Sequence, residues 1–369
     1  MRRYLLIALL TIFSLAACTE KINYDIDNPN ETATVVMVYR HAGLTDSVFF
    51  GITGNNVFID WGDGIKDSFP SLSIGNGQVE QNAVHKYTAA KDYVIKIMAD
   101  DLTLLASHEI LKINLTRATQ LKKLHLTGSF LRELNLKSNV LLEDLDCSFV
   151  GELGKLDLSA NTLLTEIRAG VCELNELNIK NCSKLAYLEC DNNRLNDLDL
   201  TGNPMLNVVG FDYNNLTSID VSKNPNLLSI SGGNNKLTEV DLSQCPNIRQ
   251  IYFDGNTIDK LVMTSSQSLY SLSISKNKLS GIDINKNLGL RTLHIENNNI
   301  RELDVSTNHS LTNIDISNNQ FSGSSLNKVF SDLTPGKYYS EWIRISSNPG
   351  TNSCDTTIAT TKKWNVRVD

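Results

Sequence analysis

From Leu153 onward, apolar residues fall at positions 1, 4, 6, 12, 15 and 17 of a 21-residue unit, with units beginning at Leu153, Leu174, Leu195, Leu216, Leu237, Ile258, Leu279 and Ile300. In LNELNIKNCSKLAYLECDNNR these positions are Leu174, Leu177, Ile179, Leu185, Leu188 and Cys190. Two looser units precede them at Ile110 and Leu131, the second carrying one extra residue near Val150 to Glu152. A fixed period of this size marks a solenoid in which each unit is one coil. One coil buries too little apolar surface to offset the ordering of its own chain, so stability must come from stacking. The alternation in LAYLEC predicts a strand. A 21-residue unit leaves no room for a helix in the other half, such as LTSIDVSKNPN, which is expected to run extended.

Ahead of the repeats the period changes. VVMVYR (35–40), SVFFGI (47–52), NVFIDW (56–61), AVHKY (83–87) and DYVIKIMA (92–99) are short runs rich in β-branched and aromatic residues, which predict a small β-sandwich over 33–101. Trp61-Gly62-Asp63-Gly64 predicts a tight turn. Asp60, Asp63 and Asp67 lack the spacing of an EF-hand loop, and turn chemistry is expected of them; His85 is expected to be a strand residue. Residues 18–32 are polar and read as a tether. The solenoid is placed at 102–320 and a C-terminal cap at 321–369, because an open end exposes core and unpaired strand. In the cap, Ser325 is expected to precede a helix with Leu326, Val329, Phe330 and Leu333 at i, i+3, i+4 and i+7; Asp355 should cap a second short helix before a strand at Trp364 to Val368.

Several columns run through the repeat. Asn193, Asn214, Asn235, Asn256, Asn277, Asn298 and Asn319 share one slot, where an inward amide can donate to and accept from turn backbone, and are read as structural. Cys147 and Cys190 occupy core position 17, where Gly232 leaves space for Phe211 and Phe253 from the coils on either side. Cys182 and Cys245 take position 9, held elsewhere by Asn161, Asn203 and Asn224, and Cys172 takes the asparagine slot. The spacing suggests no disulfide framework. Asp157, Asp199, Asp220, Asp241, Asp283 and Asp304 form a second column, expected to bond local turns; calcium is the alternative reading of stacked carboxylates.

At the N-terminus, Arg2 and Arg3 precede the apolar run Tyr4 to Leu15 and then Ala16-Ala17-Cys18, the layout of an export signal over 1–17. The run is shorter than the ~20 residues of a spanning helix. Across 369 residues, 41% are hydrophobic and 20% charged, so the chain can build a core. A net charge of −7 argues against nucleic acid as a partner.

Three resemblances sharpen this reading. L-x-x-L-x-L/C-x-x-N-x-L, present as LAYLECDNNRL, LYSLSISKNKL and LRTLHIENNNI, resembles the leucine-rich repeat signature over about 110–369. The resemblance implies a mainly β fold, a curved solenoid with a parallel concave sheet, few or no convex helices and short helices in the cap. IDWGDG followed by VHKYTAAKDYVIKI resembles PKD-like domains of secreted bacterial proteins. Leu15-Ala16-Ala17-Cys18 resembles the bacterial lipobox, which implies lipidation of Cys18 and, with Thr19 following, the outer membrane, with the periplasmic and cell-surface leaflets both open. The short unit and NPGTNSCDTTIATTKKWNV are similar to repeat lipoproteins of Bacteroidetes.

For function, H-E-x-x-H, G-x-S-x-G, P-loop and C-x-x-C motifs are all missing from the sequence, so no catalytic residues, metal or cofactor are assigned. Parallel strands would align outward residues in columns ~4.8 Å apart. Tyr187, Glu189, Asp191, Asp212, Tyr213, Tyr252, Asp254, His294 and Glu296 are the candidate binding residues of the concave face. Acids beside aromatic rings suit a protein ligand, with a polysaccharide as the alternative and a hydrolase with an unrecognised site as a remote one. A monomer is expected.

Overall fold

Val35, Met37 and Tyr39 of strand β1 (Val35–Arg40) face the main core, and Val36 and Val38 face a second, smaller cluster with Ile26 and Ala33. The structure is a computed structural model describing residues 26–28, 31–41, 47–73, 83–336 and 340–369. The export signal and Cys18 lie outside the described residues. The segment read as a tether is in part docked: Ile26 is buried, its carbonyl accepts from the Asn114 amide at 3.0 Å, and Glu31 pairs with Lys96. One apolar residue sufficed where no period was visible.

SVFFGI and NVFIDW are one strand, β2 (Val48–Asp60), and not two. The turn expected between them does not form, because the chain stays hydrogen-bonded on both sides of Gly54 and Asn55. β2 pairs antiparallel with β3 (Lys66–Leu72), β4 (Ala83–His85), β5 (Asp92–Met98) and β6 (Leu104–Ala106). β3 went unread since Pro70, which lacks an N–H, interrupts it. β1 lies between β5 and β7 (Ile110–Asn114), antiparallel to both.

The turn after β2 is built by its carboxylates. Asp60 accepts from Gly62 N at 3.1 Å, Asp63 from Ile65 N at 3.0 Å, and Asp67 from Trp61 Nε1 at 2.8 Å. His85 sits in β4, stacked on Trp61 and 2.7 Å from Asp63. Gly62 has φ +81, and a Cβ there would overlap the Val94 carbonyl, so no other residue fits.

β6 also begins the solenoid sheet, since it pairs in parallel with Lys123–His125. From there one three-residue strand per coil continues in register, through Asp144–Asp146, Glu166–Arg168 and Tyr187–Glu189 to Asn313–Asp315. The central residue of each, such as Leu188, Val209, Ile230 and Ile251, is buried with Leu185, Cys190 and their equivalents. The opposite half of each coil is extended, with brief parallel pairing only at Lys155–Asp157 with Glu176–Asn178 and Glu239–Asp241 with Lys260–Val262 among the described residues. The solenoid with a parallel sheet and little helix is the fold expected.

In the cap, helix α1 (Gly323–Asp332) buries Leu326, Val329 and Phe330, with Leu333 as its C-cap. Its N-cap is Ser322 and not Ser325: the Ser322 hydroxyl accepts from Ser325 N at 3.1 Å. A capping oxygen reaches an amide two or three residues ahead, which puts Ser325 inside the first turn. The N-cap of helix α2 (Thr357–Thr360) is Thr356 and not Asp355, whose carboxylate nonetheless accepts from Thr357 N at 3.0 Å. The sheet runs on through the cap as Trp342–Arg344 and Asn365–Arg367.

Candidate binding surface

Each concave strand sends two side chains outward and one in, and the residues just past its end continue the outer face. Register pairing stacks Glu166, Tyr187, Val208, Ser229 and Gln250 in one column and Arg168, Glu189, Gly210, Ser231 and Tyr252 in the next. Asp191, Asp212, Asp254 and Glu296 form a third, two residues further along each chain.

The third column is half-buried and knitted to backbone. Asp191 accepts from Asp212 N at 2.8 Å, Asp212 from Ser231 Oγ at 2.5 Å and from Gly233 N, and Asp254 from Ser273 Oγ and Ser275 N at 2.7 and 2.6 Å. Each carboxylate thus ties its coil to the next. Burial, reinforced by the charge of Asp212, pushes Asp191 up to about 7. Burial raises Asp212 and Glu296 as well, and one Glu296 oxygen is buried without a partner.

Aromatic side chains stand among these acids. Tyr187 donates to Glu189 at 2.9 Å and lies under the Arg168 guanidinium, 5.0 Å from the ring centre. Tyr252 receives Gln250 Nε2 at 2.9 Å and contacts Ser271 Oγ at 3.3 Å. His294 is 5.9 Å from Trp342, over which Arg367 stacks at 4.3 Å, while Arg344 pairs with Asp315 at 3.4 Å. Arg168, Trp342, Arg344 and Arg367 were not among the sequence candidates. Arg168 could have been found one period before Glu189; the other three are hidden by α1, which breaks the spacing.

Tyr213 does not share the sheet face. It follows the strand at the lip, 57% exposed, with φ 55 in the left-handed region that other coils fill with Asn192, Asn234 or Gly255. Phe149 and Val171 hold the same slot, at φ 60 and 57.

The asparagine column is buried throughout. Asn193 donates to Ala169 O and Cys190 O at 2.8 and 2.9 Å and accepts from Cys172 N and Leu174 N; Asn214, Asn235, Asn256, Asn277, Asn298 and Asn319 repeat the pattern of donation to the coil before and acceptance at a leucine or isoleucine amide. Asn348 extends it into the cap. A second ladder, unread in the sequence, runs through Asn139, Asn161, Asn203, Asn224, Asn287 and Asn308, each donating to two carbonyls of the preceding coil.

The cysteines belong to this scaffold. Cys172 donates to Cys147 O at 3.0 Å in place of an amide. Burial pushes the Cys182 and Cys245 thiols to about 11 and Cys190 well above its ordinary value, so these three are not ready nucleophiles. On the far side of the coils, Asp157, Asp199, Asp220, Asp241, Asp283 and Asp304 accept the amide two residues ahead at 2.8 to 3.1 Å. That is the turn role expected of them.

No family model and no curated protein matches the chain. Solved structures do. The functional domain of InlJ from Listeria monocytogenes, which includes a cysteine ladder, is 26% identical with a TM-score of 0.63 over 73% of this chain; the chain spans 61% of that domain. The internalin InlF of Listeria monocytogenes is 17% identical, TM-score 0.53, over 72% of this chain and 86% of its own. A leucine-rich repeat protein of Leptospira interrogans is 17% identical, TM-score 0.53, over 69% and 80%. The solenoid is therefore the leucine-rich repeat fold.

Proposed function

We propose that the protein binds a protein ligand on its concave face while held to the outer membrane through a lipidated Cys18. The observation that carries the binding reading is the unbroken sheet from β6 to Asn313–Asp315, which fixes Tyr187, Glu189, Tyr252 and the carboxylate column on one rigid surface. A preorganised surface loses little freedom on binding. The leucine-rich repeat fold, shared with internalins, supports a protein as the ligand. Recognition without bond chemistry fits the buried thiols and the carboxylates tied to backbone. The anchor rests on Leu15-Ala16-Ala17-Cys18.

The test places a photoreactive benzophenone side chain at Tyr187 or Tyr252 in living cells, with Asp199 on the far side as control. A protein cross-linked at the first two positions and not at Asp199 is the expected result. Equal labelling at all three, or none, would overturn the reading. A polysaccharide remains the second reading because Tyr187, Tyr252 and Trp342 present ring faces or edges on the same sheet.

A further inference from the structure

Several exposed glutamates elsewhere on the molecule have cationic neighbours: Glu176 has Lys155, Glu239 has Lys260, and Glu173 has Arg194. In the middle of the concave face the pattern reverses. Glu189, Asp191, Asp212, Asp254 and Glu296 take part in no ion pair among the described residues. In the six coils that carry them the three outward columns hold no lysine or arginine; Lys276 stands on the lip, and Arg249 and Arg291 precede their strands. On these columns cations return at the ends, as Arg168 beside Glu166 and Arg344 beside Asp315. Five carboxyl groups on a half-buried sheet repel one another as they ionise, and a cationic ligand would relieve that repulsion.

Apart from Val208, the floor between Tyr187 and Tyr252 holds small residues, Gly210, Ser229, Ser231 and Gly233, so a bound chain can approach the sheet closely there. Along the lip, Tyr213 and Val171 hold large apolar side chains in left-handed backbone, a conformation that costs a non-glycine residue about 1 kcal/mol or more. The surface therefore offers negative charge and exposed apolar area side by side. Five steps of ~4.8 Å between six strands span ~24 Å, the length of about seven extended residues.

Resting on the protein-binding reading, and deepening it, we propose that the ligand presents a basic polypeptide segment that lies extended along the solenoid axis across the strands from Tyr187 to Thr292. Its lysine or arginine side chains meet Asp191, Asp212 and Asp254, and an apolar side chain packs against Tyr213.

The probe is a fluorescein-labelled octapeptide of alternating lysine and leucine, titrated with the full-length chain and followed by anisotropy. Binding should weaken as salt rises, and should fall at least ten-fold in Asp191→Asn/Asp212→Asn. The asparagines keep the acceptor oxygens that hold Asp212 N and Gly233 N, and thermal unfolding checks the fold. Should that variant not fold, Glu189→Gln/Tyr213→Asn takes its place, asparagine being at home in the left-handed slot. Asp199→Asn/Asp220→Asn, on the far side, should bind like the parent. The inference is overturned if the peptide does not bind, if the concave variants bind unchanged, or if spermine competes as well as the peptide at equal charge. A protein partner cross-linked at Tyr187 and captured equally by Asp191→Asn/Asp212→Asn would sink this inference and leave the protein-binding reading standing.

Discussion

Phe211 and Phe253, two coils apart, tilt toward each other across Gly232 with their ring centres 6.4 Å apart. A Cβ on Gly232 would overlap the Phe211 ring. Gly232→Ala should therefore cost about 1 to 3 kcal/mol by overpacking. Urea unfolding checks this, and Phe211→Leu in the same chain should recover part of the loss. Equal costs with and without Phe211→Leu would show that the ring is not the cause.

Asn235 accepts from Leu216 N and donates to Phe211 O and Gly232 O, all in a dry turn. Asn235→Ala strands those groups at about 1 to 3 kcal/mol each, so a total loss of several kcal/mol is expected. Lys223→Ala, exposed on the same coil, should change stability by less than about 0.5 kcal/mol.

Asp191 supplies a pH signature of unusual sign. Its folded value of about 7 lies above the ordinary 3.8, so the native state holds the proton more tightly than the unfolded chain. The stability this contributes is complete below about pH 4 and is lost as pH rises through 7, at up to about 1.4 kcal/mol per pH unit crossed. Asp191→Asn should flatten the decline between pH 5 and pH 8. Asp199, lowered by the Thr201 hydroxyl and amide, acts in the other direction, losing its contribution as pH falls through its depressed value. Asp199→Asn should leave the neutral range unaltered.

Protein and polysaccharide ligands separate on a glycan array probed with the full-length chain. A flat array together with specific protein cross-linking is the expected outcome. Glycan signal that disappears in Tyr187→Ala and Tyr252→Ala would favour the polysaccharide instead.

Lipidation is read by metabolic labelling with an alkyne fatty acid. The parent chain should carry label and Cys18→Ser should not. Label retained by Cys18→Ser would remove the anchor from the proposal.

How much of this was legible depends on how far the period reached. Between Leu153 and Asn319 six apolar positions recur from coil to coil, with Gly232 the one departure at position 17, and periodicity alone places Leu188 and Cys190 inside and Glu189 and Asp191 outside. Where the spacing slips, the reading slips. Between Asn319 and Asn348 the chain inserts α1, so Trp342 and Arg344 lost their places in the columns although they continue the same sheet. The second ladder shows in the sequence as Asn161, Asn203 and Asn224, yet position 9 carries no apolar signal that marks it as buried. Tyr213 was placed on the face by counting; backbone φ decides otherwise, and no residue pattern announces it. The docking of Ile26 depends on a surface made by β1 and Asn114, residues far along the chain.

The pairing of β1 bears on how the molecule resists being pulled. Tension applied ahead of residue 35 reaches β1, which is laced to β5 by six register pairs and to β7 by four, so two ladders must give way together. At the other end, Asn365–Arg367 is laced by three pairs to a single neighbour. Under load the solenoid should therefore unravel coil by coil from its C-terminal side, while the end nearest the proposed anchor keeps its grip.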